Sequence, residues 1–351
     1  MPDTKPNSIS SILHFAAHLA LAASLAGGAH AAENAAEKVI AFDETGAPFA
    51  TTRRFAYLTE CVQNAYCQQR LRGMEDAAAR FNFEFQTFDA NFNPAEQLKQ
   101  VQNAAVGDFD AYILGPTAAA QSCNMWKQFL VPTGKPVVTV DLPMCGDTDH
   151  TAGLAGTVTM QRQAYFDAHV ENAFASCSEP CEVAAVGGFV GSDLYNLWTR
   201  AIENGVAKYP NARVVVEQAG NFDPGTALRV IQDGLLAHPD ISVVISSWDD
   251  MTRGVVQAVS SAGKTPGEDV RIYSVGGTSD GISRVRSGSY SGTTILLPYE
   301  ESYYGAVAAV MAVQGEAPNG YIDEARLPAV TGGPGTIFID AGNADSFTPR
   351  F

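Results

Sequence analysis

Asn91-Phe92-Asn93-Pro94, followed by Leu98 and Gln102, recurs as Asn221-Phe222-Asp223-Pro224, followed by Leu228 and Gln232. The step from Asn91 to Asn221 is 130 residues, and Asp110 recurs as Asp240 at the same step. Self-similarity that holds its register through a loop, a helix and the approach to the next strand means that one supersecondary pattern has been used twice. Asx-x-Asx-Pro favours a turn, and a proline in the first turn of a helix lacks only an N–H that the helix leaves unpaired anyway. Pro94 and Pro224 are therefore explained as helix starts. Phe92 and Phe222 need a further reason, because each lies in a loop after a strand, and in parallel sheets such loops meet ligands.

Working outward, short apolar runs at 55–58, 83–88, 111–114 and 136–140 read as strands, with helical periodicity at 66–81, 95–105 and 117–129 between them. The order restarts with strands at 182–186, 213–217, 243–246, 270–274 and 293–297 and helices near 194–208, 225–237, 250–262 and 299–313. Repeated β-α-β alternation predicts an α/β protein of two lobes, each built on a parallel sheet.

The 351 residues are 46% hydrophobic and 17% charged, enough for more than one core, and carry a net charge of −16 spread along the chain. An acidic surface of this kind excludes nucleic acid as a partner. At the start, a weakly basic segment with Lys5 precedes an apolar run from Ile12 to Ala26 and then Ala29-His30-Ala31, a small-x-small pattern. This predicts export, with residues 1–31 removed as a signal peptide near Ala31. In an exported chain six cysteines imply disulfides. Cys177 and Cys181 bracket Ser-Glu-Pro, a turn that brings them within bridging range; Cys61, Cys67, Cys123 and Cys145 can pair in several ways. The spacings lack the paired pattern of a zinc site, and no metal is expected.

Signatures of chemistry are missing. There is no H-E-x-x-H, no Walker loop and no G-x-G-x-x-G after the first strand. Gly277-Thr278-Ser279-Asp280-Gly281 fits G-x-S-x-G, but that motif needs a later histidine, and the last one here is His238. No catalytic residue or cofactor is assigned. Of the adjacent Asp249 and Asp250, one is expected to cap the helix that follows and the other to face a ligand.

Other residues carry a family resemblance over 53–340: Gln63-Asn64-Ala65-Tyr66 followed by Gly73 and Ala77-Ala78-Ala79, then Thr139-Val140-Asp141 after Lys135-Pro136, Asp249-Asp250-Met251, and Gly277-Thr278-Ser279-Asp280-Gly281. In this order they resemble the periplasmic sugar-binding proteins of ABC importers, of the ribose-binding type. The resemblance implies a type I periplasmic binding protein: two Rossmann-like lobes joined by a three-crossing hinge, closing on a ligand held between them. The crossings are expected near 155, 297 and 325. That gives one lobe from 53–155 plus 298–325 and another from 156–297 plus 326–351.

By the same resemblance Asn64 and Tyr66 are first-loop ligand contacts, Asp141 is the carboxylate after the fourth strand and Phe222 a stacking platform. Departures from the family pattern bear on specificity. Leu142 replaces an arginine, Trp248 an asparagine, Gly276 an aspartate, and Asn196 stands at a second arginine position. Asn196, Trp248 and Asp249 complete the expected ligand set, while Trp198 is left between cleft and core. Lost charges and a gained indole imply a ligand other than ribose, one that is smaller, less hydroxylated or partly apolar. The implied role is capture of a small polar solute (a sugar, polyol or related compound) by a monomer for a membrane permease. A periplasmic sensor of the same fold, serving a histidine-kinase or chemoreceptor ectodomain, is the alternative. An enzyme pairing Asp141 with Asp249 has no nucleophile or cofactor site to support it.

Overall fold

The computed structural model describes residues 35–351, so the expected signal peptide lies outside the described residues. Among the described residues no helix is long and apolar enough to cross a membrane. Two six-stranded sheets carry the described residues. The first contains β1 (Arg53–Thr59), β2 (Phe83–Asp89), β3 (Ala111–Leu114), β4 (Val137–Val140), β5 (Gly156–Thr159) and β11 (Tyr321–Asp323), in the order β11-β5-β4-β3-β1-β2. The second contains β6 (Cys181–Gly187), β7 (Ala212–Ala219), β8 (Ile241–Ser246), β9 (Arg271–Gly276), β10 (Gly292–Ile295) and β12 (Phe338–Ile339), in the order β12-β10-β9-β8-β6-β7. The orders match strand for strand. They part only at the last member, since β11 runs parallel to β5 and β12 antiparallel to β10.

The sequence repeat has a backbone counterpart. Asn91 and Phe92 have φ of 48° and 56°, and Asn221 and Phe222 both have 54°, so two consecutive left-handed residues follow β2 and β7 alike. The next residue caps a helix in each copy. Asn93 Oδ1 accepts from the Ala95 and Glu96 amides ahead of α3 (Pro94–Ala105), and Asp223 Oδ1 accepts from the Thr226 amide ahead of α7 (Pro224–Ala237). These caps satisfy N–H groups that the helix itself cannot.

Central strands of a parallel sheet are covered on both faces, and β3 and β4 are buried along their whole length. One face of the first sheet is covered by α2 (Ala65–Phe81) and α10 (Pro298–Val313), which meet where Gly73 comes against the backbone of Tyr299 and Tyr303. In the second lobe α5 (Gln163–Phe174) buries Tyr165, Phe166, His169, Val170, Ala173 and Phe174, a stripe at helical spacing. α6 (Asp193–Lys208), α8 (Asp249–Ser261) and α9 (Ser279–Arg286) complete the helices used below.

The chain passes between sheets after β5, after β10 and after β11. The expected boundary at 155 is displaced: β5 pairs with β4 and β11, so 156–159 belongs with the first sheet and the first crossing follows Thr159. Gly-Thr-Val-Thr has no apolar run to announce it. Cys177 pairs with Cys181 as expected, and Cys61–Cys67 and Cys123–Cys145 are the other two bridges.

Candidate ligand-binding cleft

The carboxyl ends of both sets of parallel strands face each other across a cleft, and the lobes touch where the Ala119 amide donates to Asp193 Oδ2 at 2.8 Å. Asp141 follows β4. It is buried yet has φ of 72°, a left-handed conformation uncommon outside glycine and asparagine and concentrated at functional sites. Its Oδ1 accepts from Gln161 Nε2 at 2.5 Å, and Gln161 also reaches the Tyr66 hydroxyl at 3.4 Å.

From Tyr66 a polar chain runs along the hinge side of the first lobe. The Tyr66 hydroxyl donates to Glu301 Oε2 at 2.8 Å, Arg70 Nε lies 3.0 Å from Glu301 Oε1, and Arg70 Nη1 bonds Glu60. Gln161 stands at the first crossing, Glu301 just past the second, and Glu324 just past β11 at the third. Burial is the main force on the charges here. It raises the Asp141 and Glu324 carboxyls well above their usual range, reinforced by neighbouring carboxylates, and it raises Glu301 to about 7 although Arg70 pulls the other way.

An aromatic group forms the other part. The Tyr66 ring meets Trp248 edge-on at 6.3 Å and Phe351 edge-on at 6.3 Å, while Trp248 and Phe351 stack at 6.1 Å. Tyr66 comes from the first lobe and Trp248 from the second. Phe222 lies farther along the second lobe, its ring over Gly188 and edge-on to Phe189 at 5.3 Å; a Cβ on Gly188 would come within 2.3 Å of that ring.

Tyr66, Asp141 and Trp248 are thus brought together, and Phe222 stands at the mouth of the second lobe. The other expected residues have different positions. Asn64 uses its side-chain oxygen to cap α2, accepting from the Cys67 amide at 2.9 Å. Asn196 is exposed on α6. Asp249 is turned inward: Oδ2 accepts from the Thr278 amide at 2.8 Å and hydroxyl at 3.0 Å, and Oδ1 from the Thr293 hydroxyl at 3.1 Å. It holds the Gly276–Gly277 turn in place, leaving no free oxygen for a ligand, and burial raises its carboxyl to about 6. Trp198 is 1% exposed and packs on Phe166 and His169, which makes it core. Ser279 begins α9 behind Thr278, whose hydroxyl caps that helix, and no histidine accompanies it.

Sequence reasoning missed Arg70, Gln161, Glu301, Glu324 and Phe351. A buried arginine on a helix is a signal in principle, but these partners lie 232 residues and more apart in places, as Arg70 and Ser302 do, and only the fold joins them. Glu60 lies beside Cys61 and Cys67 within metal-ligating distance, but those sulfurs are tied in a disulfide and offer no thiolate.

Two matching parallel α/β lobes, three crossings and a polar, aromatic-lined cleft define a two-lobed solute-binding protein. A family profile described as "Periplasmic binding protein domain" matches residues 55–317, and the chain belongs to that family. Members of the family are solute-binding proteins, not enzymes. The chain is 25% identical to the ribose import binding protein of Salmonella typhimurium over 264 residues, 74% of this chain and 85% of that protein. It is likewise 25% identical to the xylitol-binding protein of Mycolicibacterium smegmatis over 254 residues, 72% of this chain and 70% of that protein. Among solved structures, the Caulobacter myo-inositol binding protein bound to myo-inositol superposes with a TM-score of 0.71 at 21% identity, over 86% of this chain and 97% of that one. An ABC transporter solute-binding protein of Actinobacillus succinogenes with bound D-allose gives 0.70 at 20% identity, over 84% of this chain and 100% of that one.

Proposed function

We propose that the protein is exported to the periplasm after cleavage near Ala31 and there, as a monomer, binds a sugar or polyol between its lobes and delivers it to an ABC permease. The observation that carries the ligand class is the Asp141–Gln161 pair beside Tyr66 and Trp248. A carboxylate bonds adjacent hydroxyls, an amide offers both a donor and an acceptor, and an aromatic face receives the C–H side of a sugar ring. The relatives named for ribose and xylitol, and the neighbours holding D-allose and myo-inositol, support this class. The lobes move as two bodies about the three crossings, with Gln161, Glu301 and Glu324 at the pivots.

The test is a melting-temperature screen of the mature chain against D-ribose, D-allose, xylitol, myo-inositol, D-fucose and glycerol. A ligand at about 100 times its Kd adds about 2.7 kcal/mol. Asp141→Asn keeps the shape and tolerates the left-handed backbone while removing the charge. Stabilisation of the wild type that is lost in Asp141→Asn supports the reading; no stabilisation by any probe, or equal stabilisation of both proteins, refutes it. N-terminal sequencing of the exported protein checks the cleavage site.

A further inference from the structure

Phe351 belongs to neither sheet, yet it touches both lobes. Its ring stacks on Trp248 of the second lobe and meets Tyr66 of the first edge-on. The segment leading to it is fixed at separate points on each side. In the second lobe Phe347 is buried in the core, and the Ser279 amide donates to the Phe351 carbonyl at 2.6 Å. On the first lobe Arg350 Nε pairs with Glu300 Oε1 at 2.8 Å, and its guanidinium lies 4.2 Å from the centroid of the Tyr299 ring. A half-open cavity of about 410 Å³ lies beside the segment, lined by Phe347, Arg350 and Phe351 on one side and by Leu297, Pro298 and Pro328 near the second and third crossings on the other.

These contacts are hard to explain as core packing alone. Tyr66, Trp248 and Phe351 are each only partly buried, and the Tyr66 hydroxyl lies 3.4 Å from the Gln161 amide that bonds Asp141, so the three rings gather at the polar end of the cleft. Resting on the reading of this cleft as a sugar or polyol site, we propose that Phe351 is a ligand-facing residue: the third aromatic wall of the site, delivered by the 347–351 segment and held across the lobes by Arg350. Phe351 then selects for a ligand with an apolar face, and Arg350 acts as a positioning residue that keeps the wall in register as the lobes move.

The experiment uses the whole mature chain and two readouts. The first is calorimetric Kd for whichever of D-ribose, D-allose, xylitol, myo-inositol, D-fucose and glycerol binds the wild type most tightly. Phe351→Ala is expected to raise Kd about tenfold, Phe351→Leu by less, and Arg350→Ala in the same direction, with Arg350→Lys, which keeps a cation for Glu300, closer to the wild type. The second needs no ligand. Phe351→Ala uncovers Trp248 and shifts its emission to longer wavelength, a change absent in the Trp248→Phe background. Wild-type Kd in Phe351→Ala, together with lost binding in Asp141→Asn and Trp248→Ala, removes Phe351 from the site and leaves the cleft reading intact. If no probe binds the wild type, the cleft reading fails and the ligand-facing role of Phe351 fails with it, and an unshifted spectrum in Phe351→Ala overturns the placement of the ring over Trp248 whichever probe binds.

Discussion

Asp141 and Asp249 are both buried carboxylates past strand ends, and their hydrogen bonds separate their roles. Three donors converge on Asp249 within its own lobe, whereas one oxygen of Asp141 takes a single amide donor from Gln161. Asp249→Asn turns an NH2 group toward donors and is expected to cost about 1–3 kcal/mol of stability in a denaturant titration, while Asp141→Asn removes a carboxylate disfavoured first by burial and then by Glu60 and Glu301, and leaves stability equal or higher. Equal losses in the two variants would contradict this division. A second residue-scale prediction concerns His169, buried against Trp198 and bonded to Thr294 at 2.9 Å. Burial lowers its pKa from 6.5 to about 3, so the unfolded chain takes up a proton there that the folded chain refuses. Its contribution is complete above pH 6.5 and is lost on acidification, by about 2 kcal/mol at pH 5. Asp249 and Glu301, raised to about 6 and about 7, act in the opposite sense, since their contribution is present at low pH and lost as pH rises through those values. Because the two carboxyls together gain more than His169 loses, wild-type stability should rise modestly as pH falls from 7 to 5, and His169→Gln, which keeps a polar group for Thr294, should rise more steeply over the same window. Parallel profiles of melting temperature against pH would show that His169 does not set the acid limb.

At the scale of elements, two glycines let helices meet at backbone distance. A Cβ at Gly73 would lie 2.3 Å from the Tyr299 carbonyl oxygen of α10, and one at Gly254 would lie 1.9 Å from the Pro224 oxygen of α7. Both obstacles are backbone, so relief requires helices to shift, and Gly73→Ala and Gly254→Ala are each expected to lose about 1–3 kcal/mol despite alanine's better helix propensity. A gain in either variant would mean the contact is looser than described. Opening the Cys123–Cys145 bridge, which spans 22 residues, is expected to cost about 3 kcal/mol in a Cys123→Ser/Cys145→Ser protein by the same titration. Elements were legible in the sequence where a long-period signal existed. The 130-residue repeat locates both β-loop-α units, and the helix starts at Pro94 and Pro224 follow from turn chemistry alone. β5 was illegible because four residues of Gly-Thr-Val-Thr bury a strand without an apolar run. α5 was legible but overlooked: its buried residues recur every three to four positions, but His169 and Glu171 break the apolar run around them. The site was the least legible part. Tyr66, Asp141 and Trp248 stand out by position after strands, but whether a carboxylate turns to the cleft or into its own lobe depends on distant donors such as Thr293, which no local pattern encodes.

For the whole molecule, the question is what holds the lobes at the separation seen. The three crossings fix their connection but not their angle, so noncovalent contacts across the cleft set the balance between open and closed forms. The Ala119 amide to Asp193 Oδ2 bond, at 2.8 Å, is such a contact and joins the first residue of α4 (Ala119–Met125), the helix after β3, to the start of α6. It is made only when the lobes are close, and hydrogen bonds to charged groups contribute about 1.5–3 kcal/mol, less where solvent reaches them. Asp193 is partly exposed, so a working figure is about 1 kcal/mol. Removing it in Asp193→Ala biases the free protein toward the open form and taxes every ligand that requires closure, raising Kd about fivefold. Small-angle scattering should show a larger radius of gyration for the free variant than for the free wild type, and the two should converge at saturating ligand, because bound ligand restores closure whether or not this bond is present. Convergence is the informative part: if the variant stays extended with ligand bound, Asp193 is needed to close the lobes at all, and if the free proteins already scatter alike, the angle between lobes is set at the crossings by Gln161, Glu301 and Glu324, and the rim bond follows closure without driving it.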